Sequence, residues 1–375
     1  MVLPDTVASV RLADVLSSCV TAMSGGSNPL HLSPVSKAAV LVVDGLGAHN
    51  LEYRRGHARW LTGAWRTRGI VADSGFPSTT ASALTSLTTG QNPGSHGLVG
   101  YTLRDPGSGA LVNHLKDWGQ GIRLDEWQRS PTLFETVAAR GIPAVAMGEH
   151  RFVGSDFTQA VWRGAKFVGT GSLEEQFETL RAMWDEHDSG LAYLYWPALD
   201  RTGHSSGVES EAWTRRLEDL DQMLRALDSL VHDDEGFVIT ADHGMVDVPE
   251  SNKMMVREDS ALLHGVSAWG GEPRVPQLYV DSPSAQADLV AAWKETVGDT
   301  AVVMTRDQVI DEGYFGDVAD EVRPRIGDIL VLAVEDCAFY RTEVASVQSQ
   351  KMVGQHGSIT AQEREVPVIP LGAWR

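Results

Sequence analysis

Six side chains in this sequence are of the types that hold divalent transition metals, and five of them stand at or soon after the end of an apolar run. Asp44 follows the run Ala38–Val43, and Asp200 and His204 lie four apart just beyond Leu191–Trp196. Asp242 and His243, followed by Gly244, come directly after Phe237–Ala241, and His356 stands in Gly354-Gln355-His356-Gly357-Ser358, ahead of Val366–Ile369. Carboxylate oxygens mixed with imidazole nitrogens suit zinc first, and manganese or iron with the same donors. Six protein ligands exceed what one tetrahedral ion uses, so two divalent ions are the natural count, each keeping a position open for substrate. Taken singly, an Asp after a strand is more often a capping or turn residue, and a His beside a Gly a loop residue. Four such features in one order favour a site.

A nucleophile can come from the stretch Gly75-Phe76-Pro77-Ser78-Thr79-Thr80-Ala81-Ser82, which runs on to Thr89-Gly90. After the proline, small and hydroxyl residues lead into a helix, which places Thr79 or Thr80 at its N-terminus, where unpaired N–H groups and the helix dipole favour an anion. A hydroxyl beside a divalent ion can be held as an alkoxide near neutral pH, giving an activated nucleophile without a histidine base.

The elements that must carry these residues are read from the apolar runs. Ala38–Val43, Ala144–Met147, Leu191–Trp196, Phe237–Ala241 and Ile329–Val334 suit strands buried on both faces of a parallel sheet. Between the third and fourth, Trp213, Leu217, Leu220, Leu224, Leu227 and Val231 recur at three- and four-residue steps, an amphipathic helix within 208–231. Strand, helix, strand is the βαβ unit; repeated, it predicts an α/β fold with a doubly wound, mostly parallel sheet, whose ligands gather beyond the carboxyl ends of the strands. Residues 1–375 are read as one catalytic domain, with 246–327 as a small inserted α+β lid subdomain containing the strand-like Gln277–Val280 and helix-like Ser284–Thr296.

The 375 residues carry 31 Lys plus Arg against 50 Asp plus Glu, a formal charge of -19. That balance argues against duplex nucleic acid, long polyanions and an anionic membrane surface as partners. Cys19 and Cys337 fall in no motif and read as buried small hydrophobes. No run approaches the roughly 18–20 apolar residues of a membrane span, and the first residues carry no secretory pattern, so a soluble cytoplasmic protein is expected. Gly45-Leu46-Gly47 lacks the third glycine of a dinucleotide fingerprint, and no Gly-x-Ser-x-Gly elbow occurs.

Asp44 after the first strand, a Thr at a helix start, Asp-x-x-x-His, Asp-His-Gly and a late Gly-x-His-Gly, in that order over about residues 38–369, resemble the alkaline phosphatase superfamily, and within it the nucleotide pyrophosphatase/phosphodiesterase branch. The resemblance implies an alkaline-phosphatase-like fold. One ion would be held by Asp200, His204 and His356, and the other by Asp44, Asp242 and His243 with the nucleophile's oxygen beside it. It selects Thr80, ten residues before Gly90, as nucleophile, with Thr79 as the fallback. The implied reaction is hydrolysis of a small phosphodiester or nucleotide through a phosphothreonine. Alternatives are a phosphomonoesterase or phosphonate hydrolase of the same superfamily and, in another class, a metal-binding protein without turnover.

A sulfatase is disfavoured, since the Cys/Ser-x-Pro-x-Arg signature is absent, and a phosphoglycerate-type mutase normally uses Ser. The branch's usual Asn after the nucleophile helix is missing. Tyr101 takes its place, or Asn113 or His114 serves. Tyr101, Arg104 and Trp118, with Lys116 nearby, are expected to receive the leaving group or base.

Overall fold

The computed structural model describes residue 8 and residues 10–116, 118–119 and 121–375. Eight strands form the principal sheet: β1 (Val10–Arg11), β2 (Lys37–Val43), β3 (Ile70–Asp73), β4 (Ala144–Glu149), β5 (Lys166–Thr170), β6 (Gly190–Trp196), β7 (Glu235–Thr240) and β8 (Glu365–Gly372). Their order across the sheet is β1-β3-β8-β7-β2-β6-β4-β5. Strand β2 lies at the centre, parallel to β6 on one side and β7 on the other. Its residues Ala38 to Val43 are all fully buried, as a continuous apolar run covered on both faces requires.

Strand β8 runs antiparallel between β3 and β7. It therefore begins at the edge where β2, β6 and β7 end, so the chain that precedes it crosses over their carboxyl ends. That crossing brings His356, more than a hundred residues from the other ligand types in sequence, to the same edge as Asp44, Asp200 and Asp242. Pro367 and Pro370 lie within β8, opposite Val71 and Val238.

Helices pack against the sheet. Glu211–Leu227 buries Trp213, Leu217, Leu220, Leu224 and Leu227, and its first turn is capped by the Ser210 side chain, which accepts from the Trp213 N–H at 3.1 Å. The helix Thr80–Thr89 is buried along its whole length and ends at Gly90, whose φ of 70° is the left-handed conformation that closes a helix without a Cβ clash. It packs against Ala13–Ala22.

A second sheet of four antiparallel strands, ordered Val266–Glu272, Val275–Val280, Ile329–Ala333 and Ala301–Thr305, is covered by the helix Pro283–Val297. It has its own apolar cluster, in which Leu278, Trp293, Val303, Val331 and Phe339 are buried. The run Ile329–Val334, grouped in sequence with the strands of the parallel sheet, belongs here instead. An apolar run reports burial on both faces, and either sheet satisfies that; pairing with Ala301–Thr305 decides between them.

Candidate active site

The ligand-type residues converge beyond the carboxyl ends of β2, β6 and β7. Asp44 leaves β2 directly and Asp242 stands two residues beyond β7, while Asp200 and His204 occupy one turn of the helix Ala198–Ser206 that follows β6. The turn at Gly45 has φ 76°, and a Cβ there would sit 3.0 Å from Asp200 Cα, so only glycine lets the two loops approach this closely. The Gly45 N–H also donates to Asp242 Oδ1 at 3.2 Å, which turns the other oxygen, Oδ2, toward the centre.

The three imidazoles are held alike. His243 Nδ1 is 3.2 Å from Gly244 O, His204 Nδ1 is 2.8 Å from Gly354 O, and His356 Nδ1 is 2.9 Å from Ser78 O. A carbonyl oxygen only accepts, so each Nδ1 carries the proton and, in the neutral ring, each Nε2 presents a bare lone pair. Burial holds His243 below the ordinary histidine range; it holds His356 well below, helped by the neighbouring imidazoles.

These lone pairs face further acceptors. His243 Nε2 lies 3.3 Å from Asp44 Oδ1 and 3.5 Å from Asp242 Oδ2. His204 Nε2 lies 3.3 Å and His356 Nε2 3.7 Å from Asp200 Oδ1. Asp44 Oδ1, Asp200 Oδ1 and Asp242 Oδ2 are buried and receive no hydrogen bond. Acceptor against acceptor in a buried cluster is unfavourable unless protons or cations lie between them. Burial, the first cause in each case, lifts all three carboxyls above their ordinary range; for Asp44 the neighbouring Asp200 and Asp242 add to it. The donor set therefore fits divalent cations, which remove the repulsion that protons otherwise relieve. Within the cluster two groups have donor atoms within 4.8 Å of one another, Asp44–Asp242–His243 and Asp200–His243–His356. His204 joins the second through Asp200, and His243 stands between the two, its ring stacked on that of His356 at 3.5 Å between centroids.

Thr80 opens the helix Thr80–Thr89, with Thr79 as its cap residue. Thr80 Oγ1 lies 3.1 Å from His243 Nε2, and since that nitrogen is bare the hydroxyl donates. The Thr79 side chain makes no capping bond, so the first-turn N–H groups beside Thr80 remain available to an anion.

The loop after this helix is organised by packing. Trp118 is 3% exposed and its indole N–H donates to His114 O at 2.9 Å. Both His114 ring nitrogens are engaged: Nδ1 donates to Gly100 O at 2.6 Å and Nε2 accepts from Trp127 Nε1 at 2.8 Å. Burial lowers this histidine to about 4, so it is a neutral structural residue rather than a phosphoryl donor. Asn113 accepts from the Leu115 N–H at 3.1 Å, and the Arg104 guanidinium lies over the Tyr279 ring at 5.9 Å. The Tyr101 N–H donates to Glu272 Oε2 at 3.0 Å.

Sequence reasoning passed over three participants. Glu272 is one, a buried carboxyl whose other oxygen has no partner and which lies against Gly357, next to His356. The Arg274–Glu363 ion pair behind the His356 loop is another. Tyr195, whose hydroxyl donates to Asp44 Oδ2, is the third. Only Tyr195 left a usable signal, being two residues from Tyr193 on a strand and hence on the same face, at the strand's carboxyl end.

An α/β sheet with a carboxylate and imidazole cluster at its carboxyl edge and a hydroxyl at an adjoining helix N-terminus is the arrangement that the resemblance to the alkaline phosphatase superfamily implies. Residues 38–359 match the family model described as type I phosphodiesterase / nucleotide pyrophosphatase, and the chain belongs to that family. Among curated proteins it is similar to GPI ethanolamine phosphate transferase 2 of Saccharomyces cerevisiae, 25% identical over 291 residues that cover 72% of this chain and 33% of the yeast protein. A second such transferase, from Yarrowia lipolytica, is 24% identical over 62% of this chain and 26% of its own length. The chain thus spans about a quarter to a third of these relatives.

Among solved structures, murine ectonucleotide pyrophosphatase/phosphodiesterase 5, in an inactive threonine-to-alanine variant with AMP, superposes with TM-score 0.70 at 16% identity, over 90% of this chain and 88% of that one. Phosphonoacetate hydrolase from Sinorhizobium meliloti 1021, with phosphonoacetate, gives 0.67 at 19% identity, over 90% of each chain. At these identities the likeness is one of fold. Among the described residues no helix is long and apolar enough to cross a membrane.

Proposed function

We propose that this chain cleaves small phosphodiesters at a two-ion site, with Thr80 as the nucleophile and a phosphothreonine as the intermediate. The observation that carries the reading is the Thr80 hydroxyl, seated 3.1 Å from His243 Nε2 at a helix N-terminus, against a cluster of buried acceptors that calls for cations. Asp44, Asp242 and His243 would hold one ion and Asp200, His204 and His356 the other, with zinc the first choice for these donors. Divalent ions bound there would supply Lewis acidity, lowering the hydroxyl's pKa and offsetting charge on the phosphoryl oxygens.

Thr80 Oγ attacks phosphorus in line with the leaving oxygen, and the first-turn N–H groups take a non-bridging oxygen. A second nucleophile then displaces Thr80 Oγ from phosphorus and restores the hydroxyl. With water the result is hydrolysis, and the AMP held by the murine structural relative supports a small nucleotide-like phosphoester as the class of ligand. With an alcohol the result is transfer, the reading favoured by the names of the curated relatives. The fold likeness to a phosphonate hydrolase keeps carbon–phosphorus cleavage as a further branch of the same site.

The deciding experiment is a panel of matched phosphomonoesters, phosphodiesters, dinucleotides and a phosphonate, run with Zn²⁺ or Mn²⁺ and with and without an added amino alcohol. Diester cleavage with phosphorus recovered in a monoester supports hydrolysis, and phosphorus recovered on the alcohol supports transfer. Preference for monoesters, or an inert protein that still binds two ions, would overturn the proposal.

A further inference from the structure

The ring of Tyr195 lies at the carboxyl end of β6, and its hydroxyl donates to Asp44 Oδ2 from the central strand β2 beside it. Both side chains are buried, Tyr195 to 7% and Asp44 to 3% exposure. The other Asp44 oxygen, Oδ1, has no partner and faces His243 Nε2 at 3.3 Å. The hydroxyl thus occupies one carboxylate oxygen and leaves the other turned to the cluster. Tyr193, two residues earlier, stacks on Tyr195 at 6.5 Å between centroids and an 18° interplanar angle, yet its buried hydroxyl has no protein partner. Of these two tyrosines on one face of one strand, only Tyr195 reaches a ligand-type carboxylate.

We infer that Tyr195 is a positioning residue for the ion at Asp44, fixing that carboxylate as a one-oxygen ligand through Oδ1. The inference rests on the two-ion reading above. Asp242 has a comparable device, since the Gly45 N–H takes its Oδ1 and leaves Oδ2 inward. Each imidazole has one as well, in the carbonyl that takes its Nδ1 proton. Partners of this kind orient a ligand and set its basicity, and their loss costs about 10–100-fold in metal affinity or activity. A hydrogen bond to Oδ2 also prevents the carboxylate from rotating to bind the ion through both oxygens, so the coordination geometry, and not affinity alone, depends on it.

The test uses the full chain, stripped of ions and titrated with Co²⁺ by calorimetry and visible absorption, in the parent, Tyr195→Phe and Tyr193→Phe. Tyr195→Phe keeps the stacked ring and removes only the hydroxyl. It is expected to weaken one of two Co²⁺ sites about 10–100-fold and to alter that site's visible spectrum, leaving the other site unchanged. Tyr193→Phe is expected to leave both sites and both spectra as in the parent. Parental affinity and spectrum in Tyr195→Phe overturn the inference while leaving the two-ion reading standing; a parent that binds no ion overturns both. If Tyr195→Phe does not fold, the parent labelled with ¹³Cζ-tyrosine decides: one resonance of the seven tyrosines is expected to shift on ion loading, and a spectrum unmoved by ions overturns the inference.

Discussion

Arg274 and Glu363, both without measurable exposure, join the second sheet to the site through a two-pronged ion pair. Arg274 Nε lies 3.0 Å from Glu363 Oε1, and Nη2 lies 2.8 Å from Oε2. Arg274 occupies the two-residue turn between Val266–Glu272 and Val275–Val280. Glu363 holds the His356 loop by accepting from the Ser358 N–H at 2.9 Å and the Thr360 hydroxyl at 2.6 Å, and its backbone carbonyl accepts from the Gly244 N–H at 2.8 Å. One ion pair thus ties the hairpin of one sheet to the loops that carry His243 and His356 in the other.

Breaking that pair from one side leaves a buried charge uncompensated. Arg274→Met or Glu363→Leu alone is expected to cost about 3–5 kcal/mol, and the double substitution less than the sum of the two. Urea denaturation of the three variants measures this. Single variants as stable as the parent would mean that the pair does not anchor the two sheets.

Glu272 sets a pH dependence of known sign. Burial lifts its carboxyl to about 8, so between its ordinary value near 4.5 and about pH 8 the unfolded chain releases a proton that the folded chain retains. Stability from this group is full below about 4.5 and is lost as pH rises through about 8, a span worth a few kcal/mol. Glu272→Gln, which mimics the neutral acid, is expected to be more stable than the parent at pH 8.5 and nearly equal to it at pH 5 in thermal unfolding at fixed ion concentration. A stability gap that widens toward acid would contradict the assignment.

Chelation is expected to lower the melting temperature, because the buried acceptors of Asp44, Asp200 and Asp242 lose the charge that offsets them. Restoring Zn²⁺ or Mn²⁺ to about 100 times the dissociation constant should recover about 2.7 kcal/mol for each site. Scanning calorimetry against ion concentration checks it. A melting temperature indifferent to both chelator and ion would count against the site.

Thr80→Ala is expected to reduce phosphodiester turnover by several orders of magnitude while binding ions as the parent does, since it removes the attacking oxygen and none of the six Asp and His donors. Thr80→Ser, which keeps the hydroxyl, should retain measurable turnover. If Thr80→Ala is as active as the parent, Thr79 becomes the residue to replace.

The residue types of the site, their order along the chain and, for all but His356, their places beyond apolar runs were legible in the sequence, because a run buried on both faces and a polar residue after it are local properties. So were the helix carrying Thr80, through the small and hydroxyl residues that follow Pro77, and the helix Glu211–Leu227, through its three- and four-residue spacing. What lay outside the sequence were relations between distant segments. Strand β8 enters the sheet antiparallel, and that direction carries His356 over the carboxyl ends of the other strands. The run Ile329–Val334 pairs with Ala301–Thr305 rather than with the parallel strands.

Trp118 and His114, chosen for chemistry they could perform, are committed to packing and to each other. Tyr195, Glu272 and Arg274 matter through one or two atoms of residues far away in the chain. Periodicity and spacing record how a segment meets a core. Which oxygen of Asp44 is tied to Tyr195, and which is left for an ion, depends on strand register and side-chain rotation, and those exist only once the whole sheet is assembled.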